Sequence, residues 1–204
     1  MTQFLILIVL YLAFLLWHQP WFSRRLKPGD AAAILKGKYV EMTAEEAKAF
    51  ESFMDRDDGK PFHMVNLMKY RLQAEYRVDS QPDGRRVEGI SGRVAGRRYE
   101  RMVLLELLRR GCYPVFASRK LANFLSAGDG TDFFEDVVIV RYRSRRDMLS
   151  MVASPAFLKG VPHKWASLEK TVVVPSRLVL LLDLKVIVPL VLLAAYLLTR
   201  IFIT

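Results

Sequence analysis

Long apolar runs occupy both ends of the chain. Residues 2–23 contain no acidic or basic side chain, and residues 178–204 are interrupted by only three charged ones. About 20 helical residues, each rising about 1.5 Å, are enough to cross the roughly 30 Å hydrocarbon core of a bilayer. The pattern predicts one transmembrane helix over residues 1–23 and a second over 177–204. A cleaved signal peptide is the alternative for the first run, and a buried core helix is the alternative for the second.

Between these ends, apolar residues recur with shorter periods that predict an α+β domain. Thr43 and Glu46 fit the capping-box pattern that starts a helix, and residues 137–140 are a β-branched run typical of a strand. In chain order we predict a helix at 43–54, a strand at 62–70, a helix at 96–110, strands at 113–118 and 133–142, helices after Ser144 and Ser154, and a strand at 171–174. This order is the ferredoxin-like βαββαβ arrangement.

The chain therefore divides into four predicted parts. These are a transmembrane helix at 1–23, a linker with a short helix at 24–59, the ferredoxin-like α+β barrel domain at 60–176 and a transmembrane helix at 177–204. Within the domain, the polar stretch at 73–92 contains several glycines and a proline. Such composition predicts a long loop, and a further turn is predicted around residues 127–130.

Four phrases of the central domain carry a family resemblance. They are HMVNLMKY at 63–70, a helix headed by Gly96 to Tyr99, EDVVIVRYRS at 135–144, and SPAF at 154–157. Together they resemble the dimeric α/β-barrel superfamily, and more narrowly its uncharacterised-domain branch whose first strand reads Val-Asn-Leu-Met-Lys.

The resemblance implies a homodimer in which two sheets pack face to face, with a pocket between each sheet and its helices. The superfamily includes monooxygenases, isomerases and members without a known reaction, so fold selects no chemistry. The chain also departs from the family pattern. Phe134, Glu135 and Asp136 stand where the family has Trp-Asp, and the apolar ends are not part of the pattern.

The charge of the chain bears first on its topology. The net charge is +10, from 31 basic and 21 acidic side chains. Arg24, Arg25, Lys27 and Arg177 flank the predicted spans on the domain side, so the positive-inside rule predicts a two-pass protein of the inner or plasma membrane with a cytoplasmic domain. The basic clusters then indicate attraction to anionic membrane lipid, and we expect no nucleic-acid partner. A single cysteine, Cys112, permits no intramolecular disulfide and agrees with a reducing compartment.

Candidate functional residues are few. The weak catalytic candidates are His163, because its pKa lies near neutrality, together with Asn66 and Tyr99. The ligand-binding candidates are Asn66, which could orient a ligand carbonyl, Tyr70, which shares its strand face, and Arg141, which with Tyr99 could close the same cavity. For each of these residues an ordinary structural role is the alternative. The histidines have no metal-ligand spacing, and no nucleotide or hydrolase motif occurs, so we expect no metal and no cofactor.

Two functional hypotheses follow from these features. The first is a membrane-anchored, noncatalytic or accessory module at the cytoplasmic membrane face, a homodimer that binds a lipophilic small molecule or a membrane protein. The second is a small-molecule enzyme, monooxygenase-like or isomerase-like, acting on a lipophilic substrate. The two hypotheses differ on whether His163, Asn66 and Tyr99 converge on one water-accessible pocket.

Overall fold

The computed structural model describes residues 2–36, 42–77, 89–125 and 133–180, with residues 190, 191 and 194. Its helices are α1 (Thr2–His18), α2 (Asp30–Leu35), α3 (Ala44–Asp55), α4 (Gly92–Arg109), α5 (Arg145–Val152) and α6 (Pro155–Ser167). Its strands are β1 (Phe62–Tyr70), β2 (Tyr113–Arg119), β3 (Asp136–Tyr142) and β4 (Leu168–Ser176).

The four strands form one antiparallel sheet in the order β2-β3-β1-β4. In the middle of the sheet, Met64 of β1 pairs with Val140 of β3 on one side and with Pro175 of β4 on the other. α4 connects β1 to β2, and α5 and α6 connect β3 to β4. α4 and α6 pack against each other. The domain is thus α+β with a four-stranded antiparallel sheet.

Side-chain caps fix where the helices of this domain begin. The Thr43 hydroxyl accepts from the Glu46 amide at 3.2 Å, and the Glu46 carboxylate accepts from the Thr43 amide at 2.7 Å. This is the predicted capping box of α3. The Ser91 hydroxyl caps α4 by accepting from the Val94 amide at 3.4 Å, so α4 starts one turn earlier than the predicted start at Gly96. Caps of this type each contribute on the order of 1 kcal/mol.

The hydrophobic core lies toward the end of the sheet where β1 begins and β3 ends. Phe62 and Tyr142 pair across the strands with their rings stacked, 5.3 Å between centroids. Met54 of α3 and Leu149 of α5 are fully buried in the same cluster. A cavity adjoins this core, and Tyr142 lines both.

The predicted linker contains a helix that the sequence pattern did not indicate. α2 follows Gly29, whose backbone adopts the left-handed conformation at φ 85°. Leu26 and Ala31 are buried in the main core, and the Leu26 amide donates to Asp57 at 2.8 Å. The segment therefore packs against the α3 region instead of forming an extended linker.

The prediction of membrane-spanning ends is wrong for the residues that the structure describes. α1 has 17 residues and rises only about 26 Å, which is short of the roughly 30 Å core of a bilayer. Its last turn ends against the domain, where Trp17 Nε1 donates to the Leu108 carbonyl at 2.7 Å. Across the described residues, no helix combines the length and apolarity that a membrane span requires.

The same finding corrects the localisation that depended on those helices, a two-pass protein of the inner or plasma membrane with a cytoplasmic domain. Of the predicted second span, only residues 177–180, 190, 191 and 194 are described. The rest of that span, residues 78–88 of the predicted loop, and the predicted turn at 127–130 lie outside the described residues.

Candidate functional site

A cavity of about 610 Å³ lies between the sheet and the helices α4 and α6. Side chains alternate between the two faces of a strand, so every second residue of the central strands turns toward these helices. The sheet wall is formed by Asn66, Met68, Tyr70, Val138, Val140, Tyr142, Leu168 and Thr171, with Pro114 and Ala117 at the β2 edge. This wall is apolar except for a few polar groups.

The opposite wall belongs to the helices. α4 contributes Gly96, Tyr99, Glu100 and Val103, and α6 contributes Lys164. A Cβ atom at Gly96 would lie 2.9 Å from Cε1 of the Tyr70 ring. The absence of a side chain there allows α4 to approach β1 closely and sets the width of the cavity at this end.

Asn66 lies on the sheet wall of the cavity. Its Nδ2 donates to the carbonyls of Met64 at 3.0 Å and Val138 at 3.1 Å. Both amide hydrogens are therefore committed to backbone, as a buried polar group requires. The remaining polar atom, Oδ1, can accept a hydrogen bond from a ligand.

Two tyrosines supply hydroxyl groups to the same space. Burial raises the pKa of Tyr70 to about 12, with a smaller contribution from Glu100. Burial also raises the pKa of Tyr99, again with Glu100 as the secondary cause. Both phenols are thus neutral donors at physiological pH. The Tyr99 ring packs edge-on against Phe157, 6.1 Å between centroids, which orients it on α4.

Lys164 is the cavity residue that sequence reasoning missed. It is half-buried in the cavity wall, and its Nζ lies 5.9 Å from the Tyr99 ring centroid and 5.1 Å from that of Trp165. Desolvation lowers its pKa. Helical phase groups residues 160, 164 and 167 on one face of α6, and the structure shows which face this is, because Gly160 lies where α6 approaches Tyr99.

A network of charged side chains closes one end of the cavity. Arg93 of α4 donates to Asp136 at 2.7 Å and to Glu135 at 2.6 Å, and its guanidinium lies 4.6 Å above the Tyr70 ring centroid. Arg119 of β2 also contacts Asp136, at 3.3 Å. These contacts hold the start of β3 against the start of α4.

The structure brings together only some of the residues predicted from sequence. Asn66, Tyr70 and Tyr99 line the cavity, but His163 and Arg141 are not among its lining residues. His163 is buried with Nδ1 2.7 Å from the Tyr76 hydroxyl. Arg141 belongs to the opposite face of the sheet, where it donates to the carbonyls of Gly111 at 3.2 Å and His18 at 3.0 Å.

The four basic residues predicted to lie at the membrane have contacts within the protein. The carbonyls of Arg24 and Arg25 accept hydrogen bonds from Arg146 of α5 at 2.7 and 3.1 Å. The Lys27 amide donates to Asp30 at 3.0 Å. The guanidinium of Arg177 pairs with Asp58 at 2.9 Å. Residues 24–27 therefore contact α2 and α5, and Arg177 contacts the loop that follows α3.

Cys112 is a packed thiol. It is fully buried, its Sγ accepts from the Arg143 amide at 3.3 Å, and burial raises its pKa to about 11. The group is protonated at neutral pH and is a poor nucleophile. Among the described residues, no three His, Cys, Asp or Glu side chains are grouped as metal ligands.

The other face of the sheet, here called the open face, carries apolar side chains without a helix layer in the described part of the chain. Its members are Val65, Leu67, Phe116, Val137, Ile139, Val172 and Val174. Phe116 and Val174 are 49% and 48% exposed. α1 contacts only one end of this face, where Trp17 stacks on Tyr113 with 5.8 Å between centroids and His18 Nε2 lies 2.9 Å from the Tyr113 hydroxyl.

Comparison with known proteins finds similarity in structure. No protein-family model matches the chain, and no curated protein matches it. The chain is similar to the crystal structure of methylated RPA0582 protein, at TM-score 0.57 and 24% identity over 70% of this chain and 96% of that one. A second crystal structure of RPA0582, described as a protein of unknown function from Rhodopseudomonas palustris, matches at TM-score 0.57 and 21% identity, covering 70% and 98% of the two chains. At these identities the likeness concerns the fold alone.

Proposed function

We propose that this protein is a small-molecule-binding module of the dimeric α/β-barrel kind, and that it holds a largely apolar molecule between its sheet and the helices α4 and α6. The observation that supports this most directly is the cavity of about 610 Å³. Ligand pockets are typically roughly 300–1,000 Å³, mainly apolar, with a few polar groups at defined positions.

The composition of the cavity wall agrees with such a ligand. Valine, leucine, methionine and proline side chains make up most of the wall. The polar atoms that can orient a ligand are Asn66 Oδ1, the Tyr99 hydroxyl and the Lys164 ammonium group. Burying an apolar ligand here would contribute roughly 25 cal/mol for each Å² removed from water, and the polar groups would select its orientation.

The proposed homodimer is supported by the open face. Its exposed valines and Phe116 form a contiguous apolar surface on two central and two edge strands. Large exposed apolar patches are rare on monomeric proteins, and where they occur they mark interaction sites. A second copy packed sheet to sheet would cover this face and leave each cavity on the outside of the barrel.

A proton-transferring isomerase is the second candidate function. It is favoured by the presence of an acid and a base, Glu100 and Lys164, among the lining residues of the same cavity. Burial raises the pKa of Glu100, and desolvation lowers that of Lys164. Environments that shift an acid and a base in this way are characteristic of catalytic pairs. His163, one of the three catalytic candidates from the sequence, does not line the cavity.

The binding proposal is tested with Nile red, a neutral apolar dye whose fluorescence rises in apolar surroundings. Ala117 lies in the cavity lining on an exposed edge strand, so Ala117→Phe should fill the cavity without burying a new polar group. We expect the native protein to bind the dye and the variant to bind it at least tenfold more weakly.

The matched control is Val115→Phe. Val115 is exposed on the same strand and is not a cavity-lining residue. This variant should retain the affinity of the native protein. Equal binding of the dye by native protein and Ala117→Phe would contradict the proposal, and weakened binding by Val115→Phe alone would place the dye outside the cavity.

A further inference from the structure

Lys164 is a half-buried basic residue of the cavity wall. The other basic groups of the wall differ from it, because Arg101 is exposed and Arg119 contacts Asp136. Asp136 is paired with Arg93 and Arg119. Within the described part of the chain, Lys164 makes no ion pair, and its ammonium group contacts the rings of Tyr99 and Trp165.

An ammonium group in such a position is costly. Removing a charge from water without pairing it is unfavourable in a protein interior. Contacts with aromatic faces recover only part of this cost. An anion placed in the cavity beside Lys164 would supply the missing counter-charge.

Glu100 does not supply this counter-charge. It lies one turn from Arg97 on α4, and the positive charge of Arg97 acts on its carboxylate. No ion pair between Glu100 and Lys164 forms in the described structure. The ammonium group is therefore available to a ligand, while Glu100 and Arg101 lie side by side in the helical wall.

We propose that the molecule bound in this cavity is a monocarboxylate with an apolar body, and that its carboxylate pairs with Lys164 Nζ. The inference rests on the proposed binding function and specifies its ligand class. The Tyr99 hydroxyl, a neutral donor on the same wall, is placed to donate to the second carboxylate oxygen. The apolar body then lies along Val138, Val140 and Leu107, which line the same cavity. Charge-assisted hydrogen bonds of this type are stronger than neutral ones.

The test compares two probes with the same body and different head groups, 2-naphthoate and 2-naphthalenemethanol. Each is titrated against the native full-length protein by displacement of Nile red, with isothermal calorimetry as the direct measurement. We expect the native protein to bind the carboxylate at least tenfold more tightly than the alcohol. In Lys164→Met, which keeps an unbranched side chain one atom shorter and removes the charge, the two probes should bind with equal affinity.

The matched control is Lys159→Met, which makes the same substitution on the same helix. Lys159 is exposed and does not line the cavity, so this variant should keep the preference for the carboxylate. A native protein that binds both probes equally, or a Lys164→Met variant that keeps the preference, would overturn the ligand class and leave the binding function standing. If neither probe nor the dye binds, the binding function is overturned as well.

Discussion

The two faces of the sheet carry different side chains, although the same four strands form both. On the helix-covered face, Asn66 and Thr171 are polar and their side chains donate to backbone carbonyls at 3.0–3.1 Å. On the open face, the middle of every strand is apolar and polar residues occur only toward the ends, Lys69 at one end and Arg141 at the other. Polar groups at the centre of a sheet need partners, so their placement separates a face suited to ligand chemistry from one suited to association.

This separation depends on strand register. Because the side-chain period is two, a shift of one residue would exchange the two faces completely. Asn66 would then lie among the valines of the open face, and Leu67 would face α4. The central position of β1, paired on both sides over nearly its full length, keeps the two faces distinct.

Much of the fold was predictable because local patterns agree with the tertiary structure. β1 is observed at the predicted residues 62–70, and α3 has its capping box at Thr43. α2 was not predicted, since its stability depends on buried contacts of Leu26 and Ala31 with elements distant in sequence. α1 was misinterpreted because hydropathy does not include the contacts its last turn makes with Tyr113 and Arg141.

The cavity was predictable only in part. Strand alternation places Asn66 and Tyr70 on one face, and both residues line the cavity. The choice between His163 and Lys164 on α6 depends on the rotation of that helix against α4, which sequence does not determine. Adjacent helical positions differ by about 100° in direction, so one residue lines the cavity and the other contacts Tyr76.

The largest expected effect comes from placing a charge on each face in turn. Val140→Asp puts a carboxylate among residues packed on the main core and should lower the free energy of unfolding by about 4 kcal/mol. Its neighbour Ile139 lies on the open face, so Ile139→Asp should cost under about 1 kcal/mol and prevent the proposed dimer. Urea denaturation and sedimentation velocity measure the two effects. If both substitutions lowered the free energy of unfolding equally, or if Ile139→Asp remained a dimer, the two faces would not differ in the way proposed.

The second largest effect concerns the close approach of α4 to the sheet. A Cβ at Gly92 would lie 2.5 Å from the carbonyl oxygens of both Arg71 and Ser167. Backbone atoms cannot move aside as a side chain can. Gly92→Ala should therefore lower the free energy of unfolding by about 3 kcal/mol. Gly160→Ala is the control, because its nearest contact is the Tyr99 ring at 3.3 Å, which can rotate. In thermal unfolding, Gly92→Ala should lower the melting temperature strongly, and Gly160→Ala should change it little.

A smaller loss is expected from Arg93→Met. This substitution removes three charge-assisted hydrogen bonds, two to Asp136 and one to Glu135, and leaves the half-buried Asp136 with Arg119 alone. The expected cost is about 2 kcal/mol, with weaker dye binding because this network closes the cavity. Arg97→Met, one turn along α4, should be close to neutral. A native-like Arg93→Met in urea denaturation would show that the network is dispensable.

The open face should show a pH dependence at its α1 end. Burial, and secondarily the charge of Arg141, lowers the pKa of His63 and His18 below the ordinary 6.5. The folded protein therefore favours the neutral rings, and the unfolded chain binds more protons as pH falls below about 6.5. Stability should decrease from pH 7 toward pH 5, by less than the effect of Arg93→Met. His63→Gln should flatten this decrease, and an unchanged slope would exclude His63 as its source.

The smallest effect is expected from the ion pair at the other end of the open face. Lys69 Nζ lies 2.7 Å from Glu169 Oε1, and the two side chains are 37% and 48% exposed. Exposed pairs contribute little because water screens them and their ordering costs entropy. Lys69→Met should therefore be indistinguishable from native protein in thermal unfolding at low protein concentration. A loss that emerges only as concentration rises would show that a second copy desolvates this pair, and would extend the proposed dimer interface to the end of the sheet.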